Sequence, residues 1–447
     1  MSPRSATFSA KWRGNVAPLK LRGRAGVLVL FLITRIVLLS VDAPDSTLLG
    51  VNVQYAFEVQ RAEQVGLSFY KVHEINRADE NPRSSDVERQ VEYPPLAILW
   101  MTAPTWFLDP VPKTGLAPES LLNAAKQANR IAMFLVDLCG FGLLWWMGAA
   151  VAPLAIYAAG GLLLFPLLYD RMDLLLGVLL IAALAAVARK LPPWVPLLVL
   201  AIAINFKLTP LVLVPLFVQW SARRAAILAA FTAGIFLPFF IRDGMPTLGF
   251  LQYHAARGLQ LESIWSTLPD ALGAQVVFRY GAFEVQSSLT GFLLVLSTIA
   301  MLAVIPAAAL FSRTDDRLSS SVPAAERRVC FPNACALFLL IAILTSKVFS
   351  PQYLLWIVPL IALWEGRRRP LVWSVFLAAC ALTTLCYPFG YGRLMTAVKD
   401  ASTLPFATRL AGITPLVLRN VLLIALAVIC WRDMATAPES APPTMKK

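Results

Sequence analysis

The chain has 447 residues, of which 58% are hydrophobic and only 15% charged, with mean hydropathy +0.67. That balance excludes a soluble globular domain and identifies a polytopic membrane protein with spans of about 20 apolar residues. The net charge of +13 does not indicate nucleic acid, because the basic residues fall in short clusters between apolar runs, as the positive-inside pattern requires.

The amino-terminal segment 1–24 carries Lys11, Arg13, Lys20, Arg22 and Arg24 and precedes an apolar run from Ala25 to Val41. It reads as a cytoplasmic segment followed by an uncleaved first span, which puts the polar stretch 42–92 on the outer face. Apolar positions at helical spacing, with Tyr55 and Tyr70, predict interfacial helices there. Further apolar runs cover about 94–108, 130–149, 152–168, 172–188, 193–219, 223–241, 289–311, 331–347, 353–364, 371–390 and 413–431. Arg223-Arg224, Arg313–Arg328 and Arg367-Arg368-Arg369 mark the inner face and leave 242–288 as a second outer loop. The tail 432–447, rich in Pro, Ala and Thr, reads as disordered and cytoplasmic. Fold class is therefore all-α, one transmembrane domain over 25–431 with about 11–13 membrane segments, some short or re-entrant.

Simple alternation of these runs puts Arg189-Lys190 outside and Asp170–Asp173 inside, against the positive-inside rule. The conflict is removed by making 152–168 a short outer-side re-entrant element and 193–219 a V broken near Lys207-Leu208-Thr209-Pro210. The six cysteines (Cys139, Cys330, Cys335, Cys380, Cys386, Cys430) lie in or beside apolar runs and show neither a disulfide framework nor metal-ligand spacing, so no metal is expected.

Five polar clusters interrupt this pattern. The first outer loop holds Asp42, Asp45 and Glu58 and ends in Glu92-Tyr93-Pro94-Pro95; the diproline suits a helix start, while an acid here would meet a membrane-bound substrate as general base. The second is Tyr169-Asp170-Arg171-Met172-Asp173, either a self-neutralised loop or a site. The third, Asn205–Pro210, sets Lys207 within an apolar run, where it either snorkels or meets an anion. The fourth, in the second loop, carries His254, Arg257, Gln260, Glu262 and Ser263; Arg257 suits bidentate phosphate recognition, and pairing with Glu262 is the plainer alternative. The fifth is Ser346-Lys347-Val348-Phe349-Ser350-Pro351-Gln352-Tyr353-Leu354-Leu355-Trp356. A cation inside hydrocarbon costs roughly 2.5–3.5 kcal/mol on insertion scales, and broken backbone at that depth survives only where protein or a cavity surrounds it.

Three cations, Lys207, Arg257 and Lys347, with acids beside them imply an anionic amphiphile such as a lipid phosphate. No Gly-rich phosphate loop or nucleotide-binding domain is present, which argues against ATP hydrolysis and nucleotide-sugar chemistry.

In these motifs the chain resembles the membrane-embedded GT-C glycosyltransferases, specifically the glycosyltransferase 87 family of polyprenyl-phosphate-mannose-dependent mannosyltransferases. Val91–Leu96, Lys207-Leu208-Thr209-Pro210 with Pro215, Arg257–Gln260 with Glu262–Trp265, and Ser346–Trp356 occur in that family's order, over residues 25 to 365. The resemblance implies a GT-C-type fold in the plasma (inner) membrane, a polyprenyl-phosphate sugar donor, inverting transfer of a hexose, mannose in the family, on the extracytoplasmic face, a lipid-linked or glycan acceptor, and no cofactor. It implies an aspartate shortly before a tyrosine after the first span. Here Val51-Asn52-Val53-Gln54 precede Tyr55, so the base falls to Asp45, with Glu58 second. Glu92, Tyr93, Asp170, Arg171, Asp173, Lys207, His254, Arg257, Gln260, Glu262, Ser263, Lys347, Gln352 and Tyr353 are the expected substrate contacts, with Tyr353 and Trp356 on the lipid side. A transporter or flippase of an anionic lipid, and a non-catalytic lipid-binding relative, are the alternatives; neither half of the chain repeats the other.

Overall fold

The structure, a computed structural model, describes residues 18–41, 51–71, 91–113, 115, 117–318, 324–399 and 406–435. Asp42, Asp45 and most of the carboxyl-terminal tail lie outside the described residues.

In chain order the helices are α1 (Pro18–Leu39), α2 (Val51–Gln64), α3 (Pro95–Thr102), α4 (Glu119–Met147), α5 (Val151–Leu163), α6 (Phe165–Leu168), α7 (Asp173–Ala188), α8 (Trp194–Phe206), α9 (Val214–Val218), α10 (Ala222–Asp243) and α11 (Gly249–Ala256). A small sheet follows, β1 (Leu259–Gln260), β2 (Gln275–Arg279) and β3 (Ala282–Gln286), with α12 (Thr267–Ala271) inserted after β1. The chain finishes with α13 (Thr290–Leu318), α14 (Ala324–Thr345), α15 (Leu354–Ala362), α16 (Arg369–Thr384), α17 (Tyr391–Lys399) and α18 (Phe406–Ala435). Among the described residues, five helices are long and apolar enough to cross a membrane. The protein is an all-α polytopic membrane protein.

Contacts between helix ends fix the path of the chain. Arg24, near the start of α1, donates to the Trp145 carbonyl near the end of α4 at 2.9 Å. At the opposite end, Arg130 of α4 donates to the carbonyl of Val41 at 2.9 Å. The two helices therefore run antiparallel. A Cβ on Gly23 would lie 3.1 Å from Val151, and Arg35 donates to the Ala158 carbonyl at 2.9 Å, so α5 runs parallel to α1. Run 152–168 is thus a crossing element, kinked between α5 and α6, and not a re-entrant one.

Run 94–108 does not cross. Its helix α3 has only eight residues, about 12 Å of rise against the roughly 30 Å of a hydrocarbon core. Pro104 sits in a 3-10 turn right after it. Gln64 Nε2 and Arg61 Nε of α2 then hold the carbonyls of Val111 and Pro112 at 2.9 and 3.2 Å. Both ends of α3 thus stay on the α2 side, and the polar stretch beginning at 42 continues to Pro118.

With that correction the alternation becomes regular. Arg189 stacks over Trp146 at 4.6 Å, on the same end as Arg24. Arg313 lies 5.7 Å from the Trp220 ring, and Asp433 at the end of α18 accepts from Arg368 N at 3.0 Å. The basic clusters gather at one end, hereafter the basic end; the loops carrying the five polar clusters gather at the other.

Two helix pairs enter from the basic end and turn back before crossing. Pair α8/α9 breaks at Lys207, whose backbone is extended (φ −152°, ψ 143°), followed by a 3-10 turn Thr209–Leu213. Pair α14/α15 breaks at Ser346–Ser350, followed by a 3-10 turn Pro351–Tyr353. Proline explains the pattern: it lacks an N–H and drives its predecessor out of helical conformation. Ser350, directly before Pro351, is extended at φ −90°, ψ 144°. Asn205 Nδ2 reaches the Thr232 carbonyl at 3.1 Å, level with the middle of α10, so the first turn lies deep between the helices.

Helix α15 forms the centre of the core, with every residue from Leu354 to Ala362 buried. Gly177 of α7 permits close approach, since a Cβ there would meet the Leu355 and Trp356 carbonyls at 2.8 and 2.9 Å. One turn away, Asp173 is thereby set opposite Trp356. Nearby, Arg35 and Asp137 form a buried pair at 2.8 Å, closed by Tyr157 at 2.7 Å and Tyr169 at 3.0 Å. Helices α10 and α13 are the reverse of α15: only 6% and 17% of their apolar windows are buried, as for lipid-facing helices.

Candidate functional site

The two proline-marked turns meet. Asp173, at the start of α7 and 1% exposed, accepts hydrogen bonds on one oxygen from Lys207 Nζ at 2.6 Å and Trp356 Nε1 at 2.7 Å. The ammonium is ringed by aromatic faces, Trp356 at 4.9 Å, Tyr353 at 5.3 Å and Tyr93 at 5.7 Å, while Tyr353 stacks on Trp356 at 4.0 Å. A lysine here has its charge balanced by a carboxylate and by ring quadrupoles together. Tyr55 of α2 meets Tyr93 edge-on at 5.4 Å, and that contact ties the first polar stretch to the site.

A second tier lies around Arg257. This residue follows α11, is 7% exposed, and rests over the Tyr253 ring at 5.9 Å; its guanidinium donates no hydrogen bond to any described residue. Tyr253, Glu92, Tyr353 and Glu284 act on it electrostatically. His254 is exposed at its surface. Crowding by its neighbours, reinforced by the Arg257 charge, lowers its pKa and favours the neutral imidazole. Lys347, in the second turn, donates to the Ala255 carbonyl at 2.7 Å. Glu284 acts on it electrostatically. Glu92 and Arg171 belong to the same neighbourhood: Arg171 senses Tyr93, Tyr387, Asp173 and Glu92.

The expected contact residues divide into three groups. Glu92, Tyr93, Arg171, Asp173, Lys207, His254, Arg257, Lys347 and Tyr353 converge. Asp170 turns away: Arg130 grips it through two hydrogen bonds of 2.8 and 2.9 Å, a lock between α4 and the turn before α7. Gln260, Glu262 and Ser263 attach the second loop to the bundle. Gln260 Nε2 bonds Ser350 Oγ at 3.3 Å, Tyr391 OH bonds Glu262 at 3.0 Å, Arg419 Nη2 bonds the Glu262 carbonyl, and Asn420 Nδ2 bonds the Ser263 carbonyl at 3.4 Å. The plain alternative of an Arg257–Glu262 ion pair does not form. Gln352 sits half-buried in the 3-10 turn.

Of the two base candidates, Asp45 lies outside the described residues. Glu58 lies on the Gln54 side of α2, accepting from Gln54 Nε2 at 3.2 Å. Residues absent from the sequence expectation also enter the site: Tyr387 beside Arg171, and Glu284 of β3, whose Oε1 accepts from Gly258 N at 2.6 Å. Trp356, expected on the lipid side, is 2% exposed and points its N–H at Asp173.

No protein-family model matches the chain, and no curated protein matches it. Among solved structures, it is similar to the crystal structure of ArnT from Cupriavidus metallidurans bound to undecaprenyl phosphate. That similarity has 14% identity and a TM-score of 0.40, over 92% of this chain and 78% of that one.

Proposed function

We propose that this protein is a membrane glycosyltransferase that takes a hexose, mannose by its sequence resemblance, from a polyprenyl-phosphate carrier to an acceptor hydroxyl. The carrying observation is Arg257, a guanidinium in the second outer loop that is nine-tenths buried with no hydrogen-bond acceptor among the described residues. Burying such a charge without a hydrogen-bond acceptor is costly, and a phosphate supplies a bidentate set of charged oxygens. A lipid phosphate fits further because α10 and α13 are long apolar helices left largely uncovered by the rest of the protein, as lipid-facing helices are.

In this reading Arg257 and Lys347 hold the donor phosphate. A carboxylate of the first polar stretch, Asp45 or Glu58, takes the proton from the acceptor hydroxyl. The oxygen attacks the anomeric carbon from the side opposite the phosphate, the bond from that carbon to the phosphate oxygen breaks, and configuration inverts. The polyprenyl phosphate leaves with its added charge stabilised at Arg257. No cofactor is invoked. The gathering of basic clusters at one end supports a cytoplasmic basic end and, with it, a site on the extracytoplasmic face of the plasma membrane.

A carrier for the same lipid-linked anion is the second reading, favoured by two helix pairs that turn back at depth. Both pairs enter from the same end, however, whereas inverted repeats would enter from opposite ends. Membranes containing the protein, supplied with radiolabelled polyprenyl-phosphate mannose, are expected to move label to a lipid-linked or glycan acceptor, and Arg257→Ala membranes are not. Label that crosses the bilayer without changing molecule supports the carrier, and label that is only retained supports a non-catalytic lipid-binding protein.

A further inference from the structure

We propose that Glu284 is a resident counter-ion of the Arg257 pocket: its carboxylate fixes the Arg257-Gly258 turn, while its charge competes with the anion that the pocket receives. The inference rests on the anionic-ligand part of the reading above.

The geometry begins with the sheet. Strand β3 lies between β1 and β2, with Glu284 paired to Gln260 on one side and Val277 on the other. The side chain is 6% exposed and folds over Gly258, whose N–H donates to Oε1 at 2.6 Å. A Cβ at Gly258 would come within 2.5 Å of Oε2, so the carboxylate occupies the space a side chain would need. Only glycine admits this contact, and the residue anchored next to it is Arg257. Glu284 is thus a positioning residue that acts through the main chain.

Its charge acts separately. Three cations face it: Arg257 after α11, Arg279 on β2, and Lys347 in the turn between α14 and α15. From α12, the other element against β3, Asp270 has Ser266 and Glu262 as its own neighbours. Arg257 and Lys347 are the two cations assigned to the donor phosphate. A carboxylate between them lowers the field an incoming anion meets, and its removal raises that field.

Position and charge separate by substitution. Glu284→Gln keeps an oxygen for Gly258 N and removes the charge. Glu284→Ala removes both. The probe is a single-chain lipid phosphodiester, whose charge stays constant over about pH 5 to 8 because its one acidic group titrates far below that range. Binding is measured on the full-length protein in nanodiscs, with a neutral alcohol of equal chain length as blank and thermal unfolding as the folding control.

Glu284→Gln is expected to bind the phosphodiester at least about fivefold more tightly than wild type near neutral pH. Glu284→Ala is expected to bind more weakly than wild type. Burial holds the Glu284 carboxyl above its usual range, against Arg257, Arg279 and Lys347. As pH falls the group protonates and loses its charge, so wild-type affinity rises toward acid relative to the Gln variant. Glu92 and His254 face the same pocket and are present in both proteins, so the ratio of the two affinities isolates Glu284. Equal or weaker binding by Glu284→Gln, a ratio of the two affinities that does not change with pH, or no wild-type binding of the phosphodiester overturns the proposal. If the pattern holds in a protein that transfers no sugar, the glycosyltransferase reading fails and the counter-ion assignment stands.

Discussion

Lys207 and Arg257 are both buried cations resting over aromatic rings, yet they stand in opposite states. Lys207 has a carboxylate at 2.6 Å and three rings around it; Arg257 has one ring and no hydrogen-bond acceptor among the described residues. Sequence context does not separate them, since each was a basic residue in an anomalous setting beside a proline or glycine. The difference lies in what the fold brings opposite. Asp173 begins a helix that Gly177 holds against α15, and the carboxylate arrives facing Lys207. Arg257 hangs from a turn whose own carboxylate, Glu284, is directed at the main chain. Closed, a buried pair organises the two turns; open, a buried guanidinium waits for an anion.

The largest effect is expected at the open cation. Arg257→Ala is expected to lower sugar transfer by about 10²-fold or more, the size seen when one donor to a developing oxyanion is removed. Arg257→Lys is expected to recover only part, because an ammonium cannot reproduce the two-pronged contact. Transfer and phosphodiester binding measured on the same preparations check this; full activity in Arg257→Ala would end the assignment of Arg257 to the phosphate.

The closed cation predicts a loss of another kind. Lys207→Met or Asp173→Asn alone leaves a buried charge uncompensated and is expected to cost about 3–5 kcal/mol of stability. The double variant is expected to recover much of it, as a thermal-unfolding cycle in detergent reads directly. If Lys207→Met keeps its stability and loses anion binding as Arg257→Ala does, the two cations share one role and the contrast collapses. Trp356→Phe probes the same pair more gently. It keeps an aromatic face on Lys207 but removes the 2.7 Å hydrogen bond to Asp173, with an expected cost of about 1.5–3 kcal/mol.

What the sequence disclosed, and what it did not, follows the same division. Proline inside an apolar run is a strong local signal, and both turns were legible from Pro210 and Pro351 alone. The tyrosine before the diproline, Lys207, Arg257 and Lys347 were legible as oddities of polarity. Their partners were not. Asp170 and Asp173 flank Arg171 in one motif, yet one locks onto Arg130, forty residues upstream, and the other onto Lys207. Glu284 sits in an ordinary alternating strand, and only the β1–β3 register brings it over Gly258. Trp356 read as a lipid-side aromatic because burial of its N–H depends on a helix that approaches from elsewhere. Tertiary pairing decided all three.

The path of the chain offers the mildest test, one that leaves function untouched. Run 94–108 was counted as a crossing although fifteen residues fall short of the roughly 17–25 a spanning helix needs; Pro104 and the exposed Trp106-Phe107 pair mark where it stops. If it crossed, Lys113 would lie on the basic side and Lys190 on the site side. With α3 kept on one face, the two exchange places, and Ser221 stays on the basic side under either path. Single cysteines at 113, 190 and 221, in a background freed of the native six, therefore discriminate without reference to activity. Position 113 is expected to react with an impermeant thiol reagent from the face opposite 221, and position 190 from the same face as 221. Labelling of 113 together with 221 would restore the crossing, reverse α4 through α7, and carry Asp173 to the wrong end of its helix to meet Lys207. The 2.6 Å contact between those two side chains thus depends on a short helix that never enters the bilayer fully, which ties the least conspicuous segment of the chain to the closed half of the site.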